Sequence, residues 1–171
     1  HFDAYHILTN GHDPQSYQAV IDGILVALNH AHDNLQTATP GPILFNQGEL
    51  LNGNTNRSLP AFLNNPEAER QQFVDVNGDE VTTNRMMTLL RLRRDNGADV
   101  GMINWYPLHV TSIYQNNTLL SSDNKGYAAY RFEQDFDTDY FADETFLAGF
   151  MQADEGDASP HLFIPELSEA E

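Results

Sequence analysis

The sequence predicts a mixed α/β fold, a mixed sheet with packed helices, on three observations. A long apolar pattern of helical period opens the readable part of the chain. Two apolar runs joined by an Asn-Gly turn occupy its middle. A second helical stripe followed by a short apolar run lies near its end. The 171 residues contain no internal repeat or low-complexity tract, so they read as one domain or part of one.

Taken in order, the first element is a helix from about Pro14 to Asn34. Asp13 is a good N-cap, Pro14 suits the first helical position, and Tyr17, Val20, Ile21, Ile24, Leu25, Leu28 and Ala31 recur at i+3/i+4, predicting one core face. Pro40-Gly41-Pro42 breaks the chain before a short strand, Ile43 to Asn46. Gly48 to Asn65 interleaves Asn, Gly and Pro with Leu51, Leu59, Phe62 and Leu63, the pattern of a long ordered loop, a kind of segment that often carries function. Pro66 to Phe73 is a short helix and Asp75 to Asp79 a turn. That turn starts like a calcium loop, but Glu80 and Met86 stand where such a loop needs Gly and Glu.

Strands Met86 to Arg93 and Val100 to His109 form a hairpin through Asp95-Asn96-Gly97. A helix from Lys125 to Phe136 follows the Ser122-Asp123-Asn124 cap region. Phe146 to Met151 is a buried strand and Gln152 to Pro160 a turn. The Pro14 helix and the Phe146 strand need partners to bury their faces fully, so apolar patches are expected on this chain alone.

Eight Lys and Arg, of which one is Lys, stand against 25 Asp and Glu, for a formal charge of −17. Displacing counterions from a phosphate backbone takes Lys and Arg, so nucleic acid is set aside as a partner. A polybasic membrane patch is set aside on the same ground, whereas charge does not decide peripheral contact of an apolar patch with lipid. No stretch approaches the roughly 20 apolar residues of a membrane span. The opening His1-Phe2-Asp3-Ala4-Tyr5-His6 lacks both a signal-peptide pattern and an initiator Met, so the chain reads as a mature or truncated piece. With no Cys, any metal must be held by His, carboxylate or Tyr oxygen.

Three residues invite a chemical reading. His109 closes an apolar strand, where a side chain is presented to a crevice as a ligand or sits hydrogen-bonded in the core. Ser159 follows the last apolar strand, as a nucleophile or oxyanion donor does, or as a turn residue bonding its own backbone. Arg57, isolated among Asn and Ser, either clamps a carbonyl or carboxylate or pairs with one of the many acids. His30 and His32, two apart on a helix, face different directions and read as surface or packing residues.

Three segments, in order, resemble the neutral ceramidase family (neutral/alkaline non-lysosomal ceramidases). Leu50 to Arg70 is similar to the pattern N-x-N-R-S-x-x-x-[YF]-L-x-N-P-x-x-E-R. Met86 to Tyr130 is similar to the family's strand pair, histidine segment and [SG]-D-N-x-G-Y-A-[SA]-Y helix start. Phe146 to Leu162 is similar to F-[VL]-A-[AG]-F-x-Q-x-N-x-G-[DN]-x-S-P-N. By that resemblance His109 corresponds to a zinc-ligating histidine, Arg57 to an active-site arginine and Ser159 to the active-site serine. Zinc would polarise the amide and activate water, while neighbouring groups stabilise the tetrahedral intermediate and protonate the leaving amine.

The resemblance also implies that the chain is a central, incomplete segment of the catalytic domain. The family's T-H-T-H-S-G-P-G-G segment would end before His1. The Glu and Tyr that complete the zinc site, and an immunoglobulin-like domain, would lie past Glu171. One of four zinc ligands is thus expected here, and the 171 residues alone are expected to be inactive. His1, His6 and His12 match no ligand position of the family. Asp154 and His161 stand where it usually has Asn, a change that goes with the acidic bias of the chain. The sequons Asn56-Arg57-Ser58 and Asn116-Asn117-Thr118 are assigned no glycan.

The function implied is hydrolysis of the amide of ceramide (N-acylsphingosine) to sphingosine and a fatty acid by a secreted or cell-surface protein, periplasmic in a bacterium. The alternatives are a non-catalytic lipid-binding or scaffolding module, and one processed piece of an enzyme whose other pieces complete the site.

Overall fold

A computed structural model describes residues 13–35, 38, 40–113 and 116–160. His1, His6, His12 and His161 lie outside the described residues. The chain divides into two units, His1–Pro40 and Gly41–Glu171.

In the first unit the predicted helix is present as α1 (Pro14–Leu35). Asp13 caps it as expected: its Oδ1 accepts the backbone N–H of Gln15 at 3.1 Å and of Ser16 at 3.4 Å. The predicted core face is not realised, since no residue of α1 is buried. A lone amphipathic helix cannot cover its own stripe, and its unit has no second described element.

The second unit is built on a four-stranded sheet ordered β1-β3-β4-β5, from β1 (Ile43–Glu49), β3 (Met86–Arg93), β4 (Asp99–Tyr106) and β5 (Leu147–Gln152). β1/β3 and β3/β4 pair antiparallel, and β4/β5 pair parallel with Gly101 opposite Leu147 and Tyr106 opposite Gln152. The mixed sheet predicted from the sequence is therefore the observed one. At the β3/β4 turn Gly97 takes φ 86°, as the Asn-Gly signal requires. β4 stops at Tyr106 instead of running to His109, because Pro107 has no N–H to extend the ladder.

The parallel pairing of β4 and β5 requires a crossover, and α4 (Asp123–Asp135) lies in it and packs on β5. Phe132 and Phe136 of α4 meet Phe146 and Phe150: Phe136 stacks on Phe146 at 3.9 Å between centroids, and Phe132 meets Phe150 edge-on at 6.1 Å. Beside them Glu133 is buried, its carboxylate accepting the Ala148 N–H at 3.0 Å and the Tyr140 hydroxyl at 2.7 Å. β5 is not the buried strand the sequence predicts. It is a sheet edge, and only Phe146, just before it, is buried, while Leu147 and Met151 are exposed.

The long loop after β1 is ordered by two short helices, α2 (Leu59–Phe62) and α3 (Glu67–Arg70), and by a strand too short to predict, β2 (Thr55–Asn56). β2 pairs antiparallel with β6 (Ala158–Ser159), inside the segment read as a turn. The predicted helix Pro66 to Phe73 is a single turn, since Phe73 is taken up by the following bend, where Val81 donates its N–H to the Phe73 carbonyl at 2.8 Å. No helix among the described residues is long and apolar enough to cross a membrane.

The buried residues gather on β4 and at its C-terminal end: Met102, Asn104, Tyr106 and Pro107, with Asn54, Ala158 and Ser159 beside them. Gly101 begins the pairing of this strand with β5, where a Cβ would meet the Leu147 carbonyl oxygen at 2.5 Å. Gly101→Val should therefore force β4 and β5 apart at a cost of about 1–3 kcal/mol. A lowered thermal midpoint checks this, and an unchanged one counts against the register.

Candidate functional site

The site is assembled by the two-residue ladder of β2 and β6. Thr55 pairs with Ser159 and Asn56 with Ala158, which carries Arg57, next in the chain, alongside Asp157. Arg57 donates its backbone N–H to the Asp157 carbonyl at 3.0 Å. From the other side His109 donates its backbone N–H to the Ala158 carbonyl at 3.0 Å, and its ring Nδ1 lies 3.1 Å from the same oxygen. Arg57, His109 and Ser159 thus converge on one short strand.

The three differ in environment. Ser159 is 2% exposed, whereas Arg57 is solvent-facing and has no ion-pair partner among the described residues. The His109 side chain is 12% exposed, and Glu155 Oε2 lies 3.6 Å from its Nδ1. A neutral imidazole with Nδ1–H turned to a carbonyl carries its lone pair on Nε2, the arrangement that a backbone carbonyl on Nδ1 imposes on metal-binding histidines.

The segment carrying His109 leaves the end of β4 under side-chain control. Lys125 Nζ donates to the Tyr106 carbonyl at 2.7 Å and to the Met151 carbonyl at 3.1 Å. Asn54 Nδ2 donates to the Pro107 carbonyl at 2.8 Å and to that of Asn84 at 2.9 Å, and its Oδ1 accepts the Thr83 hydroxyl at 2.9 Å. Gln152 Nε2 donates to the Leu108 carbonyl, and its Oε1 accepts the Leu108 N–H at 3.2 Å. Asn124 Nδ2 donates to the His109 carbonyl at 2.8 Å and to the Ser112 hydroxyl at 3.0 Å.

Asp123 completes the frame. It takes φ 52°, a left-handed conformation that Asp tolerates. Its carboxylate accepts the N–H of Ser112 at 3.0 Å and of Ile113 at 2.9 Å. Burial alone would raise the Asp123 carboxyl, but the N–H groups of Ile113, Asn124 and Ser112 outweigh it and hold the group below its ordinary value. The N-cap is Ser122, within the Ser122-Asp123-Asn124 region predicted to cap this helix, and it makes no side-chain cap bond. The side chains of Asp123 and Asn124 serve the 109–113 segment.

Asp154, flagged beside Ser159, has its carboxylate on Asn84 Nδ2 at 2.8 Å, so it ties β5's exit to the stretch preceding β3. Sequence reasoning missed roles for Asn54, Asn124, Lys125 and Gln152, although Asn54, Asn124 and Gln152 are fixed letters of the quoted patterns and Lys125 stands at an open position of one. For zinc, His109 fits as one donor by its ring orientation. Among the described residues no group of three His, Cys, Asp or Glu side chains is placed to hold a metal ion, so these residues would contribute a ligand rather than a whole site.

Burial pushes the Lys125 ammonium down from 10.5 to about 8, against the opposing pull of Glu155. The unfolded chain therefore holds a proton between about pH 8 and 10.5 that the native chain has released. Stability from this group rises with pH through that window and is lost as pH falls through the folded value. Wild type should gain thermal midpoint relative to Lys125→Met between about pH 7 and about pH 10. A pH-independent difference between the two contradicts this.

Residues 1–169 match the family model described as neutral/alkaline non-lysosomal ceramidase, N-terminal. The chain is 36% identical over 162 residues to the neutral ceramidase of Pseudomonas aeruginosa, covering 95% of this chain and 22% of that protein. It is 37% identical over 168 residues to the neutral ceramidase of Mycobacterium tuberculosis, covering 97% of this chain and 25% of that protein. The crystal structure of the Pseudomonas aeruginosa neutral ceramidase superposes with a TM-score of 0.69 at 31% identity, covering 92% of this chain and 22% of that one. The chain spans about a fifth to a quarter of the length of these relatives. With sequence and fold in agreement over nearly its whole length, the chain belongs to the neutral/alkaline non-lysosomal ceramidase family.

Proposed function

We propose that the complete protein carrying this chain is a zinc-dependent amidohydrolase that cleaves ceramide to sphingosine and a fatty acid. The chain would contribute one zinc ligand, His109, together with Arg57 and Ser159. The observation that carries this reading is their convergence: Arg57 and His109, about fifty residues apart in sequence, bond the consecutive carbonyls of Asp157 and Ala158 at 3.0 Å each, directly before Ser159. The relatives named neutral ceramidase supply the substrate class.

The residues divide the work by environment. His109 offers Nε2 as the donor, its tautomer held by the Ala158 carbonyl at 3.1 Å. Bound zinc supplies Lewis-acid polarisation of the amide carbonyl and a lowered pKa for water. Arg57, unpaired among the described residues, is free to hold a substrate oxygen through its planar fork of donors. Ser159 acts as a hydrogen-bond donor to the developing oxyanion rather than as the nucleophile. An attacking serine needs a base on its hydroxyl, and among the described residues none hydrogen-bonds to it, the Nδ1 of His109 being turned to the Ala158 carbonyl.

An extracellular, cell-surface or periplasmic setting goes with this reading. So does peripheral contact with lipid, because a two-chain amide resides in a membrane and the enzyme must meet it there. Where this chain, with its formal charge of −17, takes part, such contact would be apolar rather than electrostatic.

In the complete protein, His109→Ala should abolish the chelator-sensitive release of fatty acid from ceramide, and zinc should not restore it. Ser159→Ala should lower kcat by about 10²–10³, the size of losing one oxyanion donor. Mass spectrometry of the working enzyme should find no acyl adduct on Ser159. Full activity in either variant overturns the site assignment, an acyl-Ser159 adduct overturns the donor role, and ceramide binding without turnover in the unmodified protein points to a lipid-binding module.

A further inference from the structure

Backbone geometry at His109 is held with unusual completeness. The peptide group before its Cα is gripped at both ends: the Leu108 carbonyl accepts from Gln152 Nε2, and the His109 N–H donates to the Ala158 carbonyl at 3.0 Å. The peptide group after its Cα has its carbonyl on Asn124 Nδ2 at 2.8 Å. With both flanking peptide planes fixed, φ and ψ of His109 are fixed. The Nδ1 contact of 3.1 Å to the Ala158 oxygen then sets the ring.

The two amides come from separate elements. Gln152 is the last residue of β5, paired with Tyr106 across the parallel ladder, and its own Oε1 accepts the Leu108 N–H at 3.2 Å. Asn124 lies at the start of α4 and is cross-braced to the Ser112 hydroxyl at 3.0 Å. Neither hydrogen-bonds to the His109 ring, to Ser159 or to Arg57 among the described residues, so neither is placed to touch substrate through them.

We propose that Gln152 and Asn124 are positioning residues for His109, which aim its Nε2 by holding the peptide groups on either side of its Cα. The inference rests on the reading of His109 as a zinc ligand. Side-chain amides suit the task because each offers a donor without a charge. The Gln152 amide also offers an acceptor, so it grips the C=O and N–H of Leu108 as a neighbouring strand would.

The test uses the complete protein with Gln152→Glu and Asn124→Asp. Each keeps the size of the side chain and removes the donated N–H. Zinc affinity is measured by competition with a chelator, beside kcat, KM and the thermal midpoint. Both variants should bind zinc about 10- to 100-fold more weakly, with kcat falling in step. KM for ceramide should hold, since the substrate contacts remain. Gln47→Glu, the same chemical change on the opposite edge strand β1, should leave zinc affinity unaltered, which separates positioning from general loss of stability.

If one variant fails to fold at the assay temperature, the other decides. Wild-type zinc affinity in the folded variants, with loss of zinc in His109→Ala, overturns the positioning role while leaving the function standing. Retention of zinc by His109→Ala overturns the ligand reading itself, and the positioning role with it.

Discussion

Four consecutive carbonyls, those of the buried Tyr106 and Pro107 and of the half-buried Leu108 and His109, stand at and beyond the end of β4's ladder, and each needs a donor. A backbone oxygen stranded away from water costs about 1–3 kcal/mol, so leaving even the buried pair unpaired would remove a sizeable part of the stability of a small domain. The chain answers with Lys125, Asn54, Gln152 and Asn124, one per carbonyl, drawn from α4, the loop before β2, and β5. Pro107, fully buried, eases the same demand by bringing no N–H of its own. The rest of the site follows from this solution, because the elements that supply the donors must all meet where His109 stands.

That solution explains why deep burial here is as polar as it is apolar. Asn54, Asn104, Glu133 and Ser159 are buried alongside Met102, Tyr106, Phe146 and Ala158. A satisfied polar network holds its members to one geometry, whereas apolar packing tolerates repacking. The network is not complete. Asn104 Oδ1 and Asn124 Oδ1 are buried without a partner among the described residues. The second of these belongs to the amide that holds the His109 carbonyl, so its donor side is engaged while its acceptor side is open.

The sequence was legible where signals are local. The Asp13 cap, the Asn96-Gly97 turn and the bounds of β3 follow from neighbours within a few residues, and all three appear as read. The end of β4 was legible too, in Pro107, but the apolar run through Leu108 outweighed it in the reading. β2 and β6 were not legible, because two residues carry no period and their pairing joins Thr55 to Ser159. The convergence of Arg57, His109 and Ser159 came from resemblance, since spacing left each of them with an ordinary alternative. Asn124 and Gln152 act over 15 and 44 residues by side-chain to backbone bonds, which leave no trace in hydrophobic pattern.

The distribution of apolar surface bears on how such a site is kept in shape. Ile24, Leu28, Ile43, Phe45 and Leu147 are exposed, and the aromatic cluster of Phe132, Phe136, Phe146 and Phe150 serves the α4–β5 contact rather than the His109 segment. Apolar burial therefore anchors the frame at one end of β5, while hydrogen bonds hold the chemistry at the other. Non-directional burial can set the distance between α4 and the sheet, but only directional bonds can set the angle of an imidazole. Separating the two lets the apolar surface at one end of β5 be covered or repacked while the amides around His109 keep their geometry.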